Sequence, residues 1–474
     1  MLKNETLKRI LLVFLCAYPI FSLKIFYNNY ATLIQIVFIA IFLLWTFFAN
    51  KDSRKNIKYL AIYMLILVLY SIFHHFNALD FKSLVPGNFN YNYIDEILYL
   101  IKMSTPIFFI YLMYYSKFQK EDYLKIIKSW IIIICGIIII TNIFKISFSS
   151  YNDEIIKGSI FSWFNKNYIY NELASKGFFM YANQIACLLV AIIPISLYYY
   201  LEKSLNLIYL ILLLLTTLIL GTRVSNLGSI LVFITLILSY MIYSIIKKKK
   251  INWKKLIPCG ILIVLYSVIL PFSPTFSRYE VYDYLLPKSI NNLVASTENF
   301  YISDIEYIKN NYEEKLINEN FILNSYPYEY DPEFWLTILN EPINKRADYR
   351  YLEIAMVSRV KEINNNKMDT LFGITNDRIQ NIFNIERDYV LQYYAYGIIG
   401  CILFLGIYLV LLIKSFKNLI FNFNYFNICI CSSIILFLFI SYLSGNILSQ
   451  ISIFIPLLII AAMAYIKVEK PKKL

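Results

Sequence analysis

The chain has 474 residues, 59% of them hydrophobic and 18% aromatic, with a mean hydropathy of +0.58 and a formal net charge of +13. Apolar runs such as "IIIICGIIIITNIF" and "LIYLILLLLTTLIL", repeated along the chain, exclude a soluble globular domain. The positive charge does not point to nucleic acid, because it gathers in connections between apolar runs, where it faces anionic lipid.

A bilayer core takes about 20 apolar residues per helix. That length predicts twelve spans, near 10–27, 31–49, 59–76, 96–115, 128–147, 177–200, 205–221, 227–246, 256–273, 390–413, 427–446 and 449–466. The expected fold is an all-α polytopic membrane protein. Residues 1–273 carry nine spans, 274–389 form a large extracytoplasmic loop, and 390–474 carry three spans and a tail. The lysine-rich stretches "KDSRKNIK", "KFQKEDYLKIIK", "KKKKINWKK", "KSFK" and "KVEKPKKL" then share one side, which the positive-inside rule makes cytoplasmic together with both termini. "MLKNETLKRI" lacks a small-residue cleavage site, so the first span is expected to be retained.

All seven cysteines fall within predicted spans, which leaves no disulfide framework for the outer loop. Cys429 and Cys431, two apart on a helix, point away from each other and make no metal pair. His74 and His75, the only histidines, sit at an outer helix end and are expected to be interfacial. Lys102, inside the fourth span, is expected to face the bundle or snorkel.

The loop at 274–389 holds twelve basic and nineteen acidic residues, and a connection this long usually has structure or function of its own. "DIEYIKNNYEEKLINENFIL" and "RYLEIAMVSRVKEI" have amphipathic helical spacing, whereas "SYPYEYDPEFW" reads as an irregular link. A shorter aromatic outer loop lies near 148–176.

The arginines are few and unevenly placed. Against thirty-five lysines there are nine, and Arg278, Arg346, Arg350, Arg359, Arg378 and Arg387 lie in the long outer loop, with Arg223 at the outer end of the seventh span. A planar guanidinium grips phosphate or carboxylate with two parallel bonds. Seven arginines on the face that disfavours them therefore suggest a site for an anionic substrate. Arg278, Arg346 and Arg350 are expected simply to pair with loop acids.

Four segments complete the pattern. "SKGFFMYANQIACLLVAIIPIS" carries Gly177, Phe178, Asn183 and Pro194; "LGTRVSNLGSILVF" carries Gly221, Thr222 and Arg223. "SRVKEINNNKMDTLFGI" places Arg359 ahead of Leu371-Phe372-Gly373, and "ERDYVLQYYAYGIIG" places Glu386, Arg387 and Asp388 ahead of Tyr396 and Gly397. Acids before a helix gain from its macrodipole, so Glu386 and Asp388 have a capping role available to them. Tyr389, Tyr393, Tyr394 and Tyr396 read mostly as an interfacial belt, and Gly397 and Gly400 as sites of close helix packing.

In order and spacing these segments, over roughly residues 175–415, resemble the O-antigen polymerase and ligase family of bacterial surface-polysaccharide assembly. The resemblance implies glycosyl transfer from an oligosaccharide on undecaprenyl pyrophosphate, at the outer face of the cytoplasmic membrane and without nucleotide. It implies that Arg223 and Arg359 hold the donor's pyrophosphate, with Asn183 and Arg378 as further substrate-binding candidates. Arg387 serves the donor or pairs with an acid. Glu386, with Asp388 beside it, is the candidate base for the acceptor hydroxyl. Glu386 stands eleven residues before Gly397, where ligases usually carry histidine, and this departure favours a polymerase. A ligase and a lipid-linked oligosaccharide flippase are the alternatives. Neither cofactor nor metal is expected, given the missing His/Cys cluster and Asp-x-Asp signature; a chain-length regulator and a flippase are the expected partners.

Overall fold

The computed structural model describes residues 4–85, 89–164, 168–202, 204–277, 304–382 and 385–466. Inside a bilayer every backbone N–H and C=O must be satisfied within the protein, and an α-helix does this with its own turns. Among the described residues, nine helices are long and apolar enough to cross: α2 (Asn29–Ala49), α3 (Lys51–Leu79), α4 (Tyr93–Ser116), α5 (Lys120–Ile143), α6 (Ala182–Leu201), α8 (Val224–Ile246), α9 (Trp253–Ser277), α14 (Asp388–Phe421) and α15 (Tyr425–Leu443). Three shorter helices occupy the other expected positions: α1 (Asn4–Ala17), α7 (Leu207–Leu220) and α16 (Ile451–Tyr465). The fold is an all-α polytopic membrane protein, with, among the described residues, one two-stranded antiparallel sheet pairing Phe148–Ser149 with Ser175–Gly177.

Contacts divide the chain into two compact units, Met1–Leu60 with Thr105–Glu280 and Ile407–Leu474, and Ala61–Ser104 with Val281–Gly406. At the centre of the first unit runs α6, apolar all round and buried along its length, packed against α7 and α15. Its polar groups turn inward too: the Gln184 amide donates to the Asn446 carbonyl at 3.0 Å. Helix α3 is the opposite case, with Ile62, Leu65, Val68, Leu69 and Ile72 all exposed. Apolar residues in that position suit a lipid-facing surface.

In the second unit the loop forms α10 (Asp304–Asn311), α11 (Pro332–Asn340), α12 (Tyr349–Asn364) and α13 (Asn376–Ile382) around buried Trp335, Tyr326, Phe321, Leu352 and Met356. The stretch read as an irregular link is so only as far as Asp331. There the Asp331 carboxylate caps α11, accepting from the Phe334 amide, and Pro332 supplies a first residue with its φ preset for a helix.

The Leu-Phe-Gly and Tyr-Gly segments meet here, backbone to backbone. The amides of Ile374 and Thr375 donate to the carbonyls of Tyr394 and Ala395 at 2.8 and 3.0 Å. Helix α14 breaks at Gly397, with φ 64° and ψ −169°, and Gly373 has φ 80° and ψ 176°. A Cβ on Gly373 would stand 2.2 Å from the Ala395 oxygen, and one on Gly397 2.4 Å from the Leu371 carbonyl. Gly397 thus does not pack a helix on a helix, as its place in a small-residue run suggested; it lets a loop cross one. Tyr396 is no belt residue either. It is fully buried, its ring 5.6 Å from that of Tyr99 and 5.3 Å from that of His74.

Substituting alanine at Gly373 or Gly397 should destabilise the purified protein by at least about 1–3 kcal/mol, the cost of a backbone region open essentially to glycine alone. Gly406→Ala, where a Cβ meets nothing within 4 Å, should leave it unchanged. Fluorescence-detected size exclusion after graded heating compares the three; equal melting would remove the crossing.

Candidate active site

In the first unit the "GTRVS" segment is a helix stop followed at once by a helix start. Gly221, with φ 67°, ends α7; a Cβ there would lie 2.9 Å from that of Ala174. Thr222 and Ser225 then cap one another: the Ser225 amide donates to the Thr222 hydroxyl at 3.1 Å and the Thr222 amide to the Ser225 hydroxyl at 3.2 Å. Arg223 is left exposed at the first turn of α8. That turn is a π-turn, Val224–Gly228, and the Tyr266 hydroxyl donates to the carbonyl of Asn226 within it at 3.1 Å. Such single-turn irregularities are frequent at functional sites. Asn183 lies half-buried in the first turn of α6.

The remaining candidates belong to the second unit. Arg359, on α12, grips Asp331 with its Nε and Nη2 at 2.8 and 3.2 Å, and also reaches Glu333 at 3.1 Å and Glu362 at 3.4 Å. Burial pulls the Asp331 carboxyl upward, but the Arg359 fork, the Tyr326 hydroxyl and the Phe334 amide together hold it below its ordinary value. Asp331 is 3% exposed whereas Glu333 and Glu362 are 86% and 71% exposed, so one partner is a fixed anchor and two are solvated. A hollow of about 220 Å³ lies alongside, between Glu333, Thr337, Ser358 and Glu362.

Arg378 is a clamp. Its guanidinium donates to the carbonyls of Ala78 and Phe89 at 2.8 and 3.2 Å and lies over the Phe81 ring at 4.1 Å. Arg346 likewise serves a carbonyl, that of Leu339 at 3.2 Å, rather than the loop acid expected for it. Arg278 lies outside the described residues.

At the mouth of α14, Glu386 is half-buried and its Oε2 accepts from Nε and Nη2 of Arg350 at 2.8 and 2.6 Å. Arg350 thus pairs with an acid, as expected of it, and the acid is Glu386. Arg350 and Arg359 are nine residues apart on one helix, a rotation of about 180°. They accordingly serve different carboxylates, and no direct contact joins Arg359 to Glu386 among those described. Arg387 is half-buried, and Asp388 is buried in the first turn of α14.

Two features of this unit were not expected. Glu353, one turn along α12 from Arg350, is 6% exposed, and its Oε2 is buried with no hydrogen-bond partner among the described residues. Burial, and next the charge of Glu386, push its carboxyl up to about 7. Nothing in "RYLEI" marks that glutamate apart from its neighbours; its burial depends on how α12 packs. The second feature is His74, which is 1% exposed rather than interfacial. Its Nδ1 donates to the Phe372 carbonyl at 2.7 Å, and its Nε2 lies 2.9 Å from Glu96, whose carboxylate also accepts from the amides of Asn376 and Asp377. His74 and Glu96 thereby fix both the Leu-Phe-Gly segment and the start of α13.

The class that this fold and site define is an integral membrane protein of many helices, with arginine–carboxylate pairs concentrated in the folded segment between α9 and α14. The chain belongs to the family described as O-antigen ligase like membrane proteins, whose family model matches residues 4–471. Membership makes it a membrane glycan-processing enzyme, of glycosyl-transfer type and acting on lipid-linked glycan. No curated protein sequence matches the chain.

The folded Glu353 carboxyl, at about 7, stands above its ordinary 4.5, so the native state holds a proton that the unfolded chain releases. Stability from this group is full below about pH 4.5 and is lost as pH rises through about 7. Glu353→Gln, neutral at every pH, should therefore melt higher than the parent at pH 8 and level with it near pH 4.5. Thermal melts across that range check the sign.

Proposed function

We propose that the protein polymerises oligosaccharide repeat units carried on undecaprenyl pyrophosphate, at the outer face of the bacterial cytoplasmic membrane. The observation that supports this most is the company at the mouth of α14: Glu353, Glu386 and Asp388, with no imidazole in a base's position. The chain has only two histidines; His74 has both ring nitrogens engaged, and His75 bonds the Tyr91 hydroxyl at 2.9 Å. A carboxylate is then the group left to take a proton.

In this reading the acceptor sugar's hydroxyl oxygen attacks the donor's anomeric carbon while its proton passes to Glu386. Arg350 grips Oε2, so the proton goes to Oε1. The bond from the anomeric carbon to the pyrophosphate oxygen breaks, and the leaving group takes the electron pair. Fixed guanidinium groups offset the growing charge. Arg223, exposed at a helix start, and Arg387 are the cations offered for that work; Asn183 would bind glycan. Arg359 could join them by exchanging its two solvated glutamates for phosphate while Asp331 keeps the fork in place. The carbonyl contacts of Arg378 suit it to holding the loop rather than the donor. Asp388 and Glu353 are the alternative proton acceptors, and the chain-length regulator and flippase remain the partners proposed.

A second reading, transfer of finished glycan to another acceptor, is favoured by the ligase in the family's own description. Cells carrying Glu386→Gln or Arg223→Ala, with protein level verified, separate the two on surface-glycan gels. Loss of the base should slow transfer about 10²–10⁴-fold, and loss of the arginine about 10²–10³-fold. Collapse of long chains to single repeat units supports the polymerase. Long chains that persist on the lipid carrier but reach no acceptor indicate the ligase. Repeat units that never reach the outer leaflet would make the protein a transporter.

A further inference from the structure

At the opposite, lysine-rich end of the first unit is a cavity of about 270 Å³, where α6 and α8 end and α5 and α15 begin. By the positive-inside rule this end faces the cytoplasm, away from the chemistry proposed above. Its charged lining is Lys120, Lys249 and Lys250 against a single acid, Glu202.

Two of these lysines are placed by the fold. Lys120 donates to the Tyr198 hydroxyl at 2.9 Å, its ammonium 4.5 Å from the Phe426 ring centre. Beyond α8 the chain turns back on itself. Lys248 takes a left-handed φ of 49° and the Lys249 amide donates to the Ser244 carbonyl at 2.8 Å, which carries the Lys249 ammonium to the Tyr243 hydroxyl at 3.2 Å. A tyrosine oxygen occupies one of an ammonium's three N–H donors and neutralises none of its charge. The space is about nine times the ~30 Å³ a liquid water molecule takes, enough for a phosphate and a short polar group but below the usual size of a drug-like pocket.

We propose that this cavity binds a phosphate-bearing anion, supplied either by the headgroup of an acidic membrane lipid or by free phosphate. Basic pockets between transmembrane helices on this face suit such headgroups, and solvated lysines on long stems can follow a headgroup that moves within the leaflet. The site is independent of the glycosyl-transfer reading, since none of its residues belongs to that machinery.

The full-length protein is reconstituted in phosphatidylcholine nanodiscs with or without phosphatidylglycerol, and bound lipid is counted by native mass spectrometry. Inorganic pyrophosphate is added separately to the phosphatidylcholine discs and thermal stability is followed. The variants are Lys120→Ala/Lys249→Ala/Lys250→Ala, the corresponding triple arginine chain, and Lys51→Ala/Lys55→Ala/Lys58→Ala, which removes equal charge from exposed positions at the same end. Retention of phosphatidylglycerol should weaken roughly fivefold for each cavity lysine lost, and should survive both in the arginine chain and in the exposed-lysine variant. Stabilisation by pyrophosphate, lost in the same variant, would assign the site to free phosphate instead. If the exposed-lysine variant loses lipid equally, the effect is general surface charge and the proposal fails. It fails also if the parent and the arginine chain retain neither ligand, a comparison that stands even where the alanine chain does not fold.

Discussion

A backbone carbonyl or amide left bare in an apolar setting costs several kcal/mol, and this constraint shapes every part of the molecule. Where the chain is helical the cost vanishes. Where it departs from the helix, a side chain arrives to satisfy what was freed. Tyr151 bonds the Gly221 carbonyl, Tyr266 that of Asn226, Tyr70 that of Tyr396 at 2.8 Å, and His74 that of Phe372. These four departures coincide with the segments that carry the resemblance to glycan-assembly enzymes. Irregular backbone needs support, and supported irregular backbone is rigid enough to hold a side chain where chemistry needs it.

The electrostatics of the second unit follow a related rule. Four of its arginines are matched, Arg359 to Asp331, Arg350 to Glu386, and Arg378 and Arg346 to main-chain carbonyls, because a guanidinium removed from water must find acceptors. Pairing with exposed glutamates is exchangeable, whereas the Asp331 contact, buried and held by two further donors, is an anchor. An anionic substrate would therefore meet a charge pattern in which some partners yield and others keep the fork oriented. The raised Glu353 carboxyl beside Glu386 belongs to the same pattern: two acids so close cannot both ionise cheaply, and the more buried one holds its proton.

Much of this was legible in the sequence. Spans of α2, α6 and α15 are read directly, because an apolar helix long enough for a bilayer has no other economical fold. The glycine of "LFG" and that of "YAYG" were visible as a signature, and Arg350 as a partner for an acid. What misled was local reading of polar residues. His74 and Tyr396, at a span end and in a tyrosine run, look interfacial; both are core, because the loop crossing closes over them. Asp331-Pro332 looked like a link and is a cap, since its acceptor role is decided by which amides follow.

The sequence by itself determined the class of fold, the family and the small set of arginines and acids worth testing, because hydropathy and residue type act locally and add along the chain. Only the tertiary structure decided which arginine meets which carboxylate, that Glu353 is buried, that Leu-Phe-Gly crosses Tyr-Gly, and that three lysines from two separate connections line one cavity. Those facts depend on contacts between residues tens to hundreds of positions apart. Burial and charge pairing have no value until such contacts form.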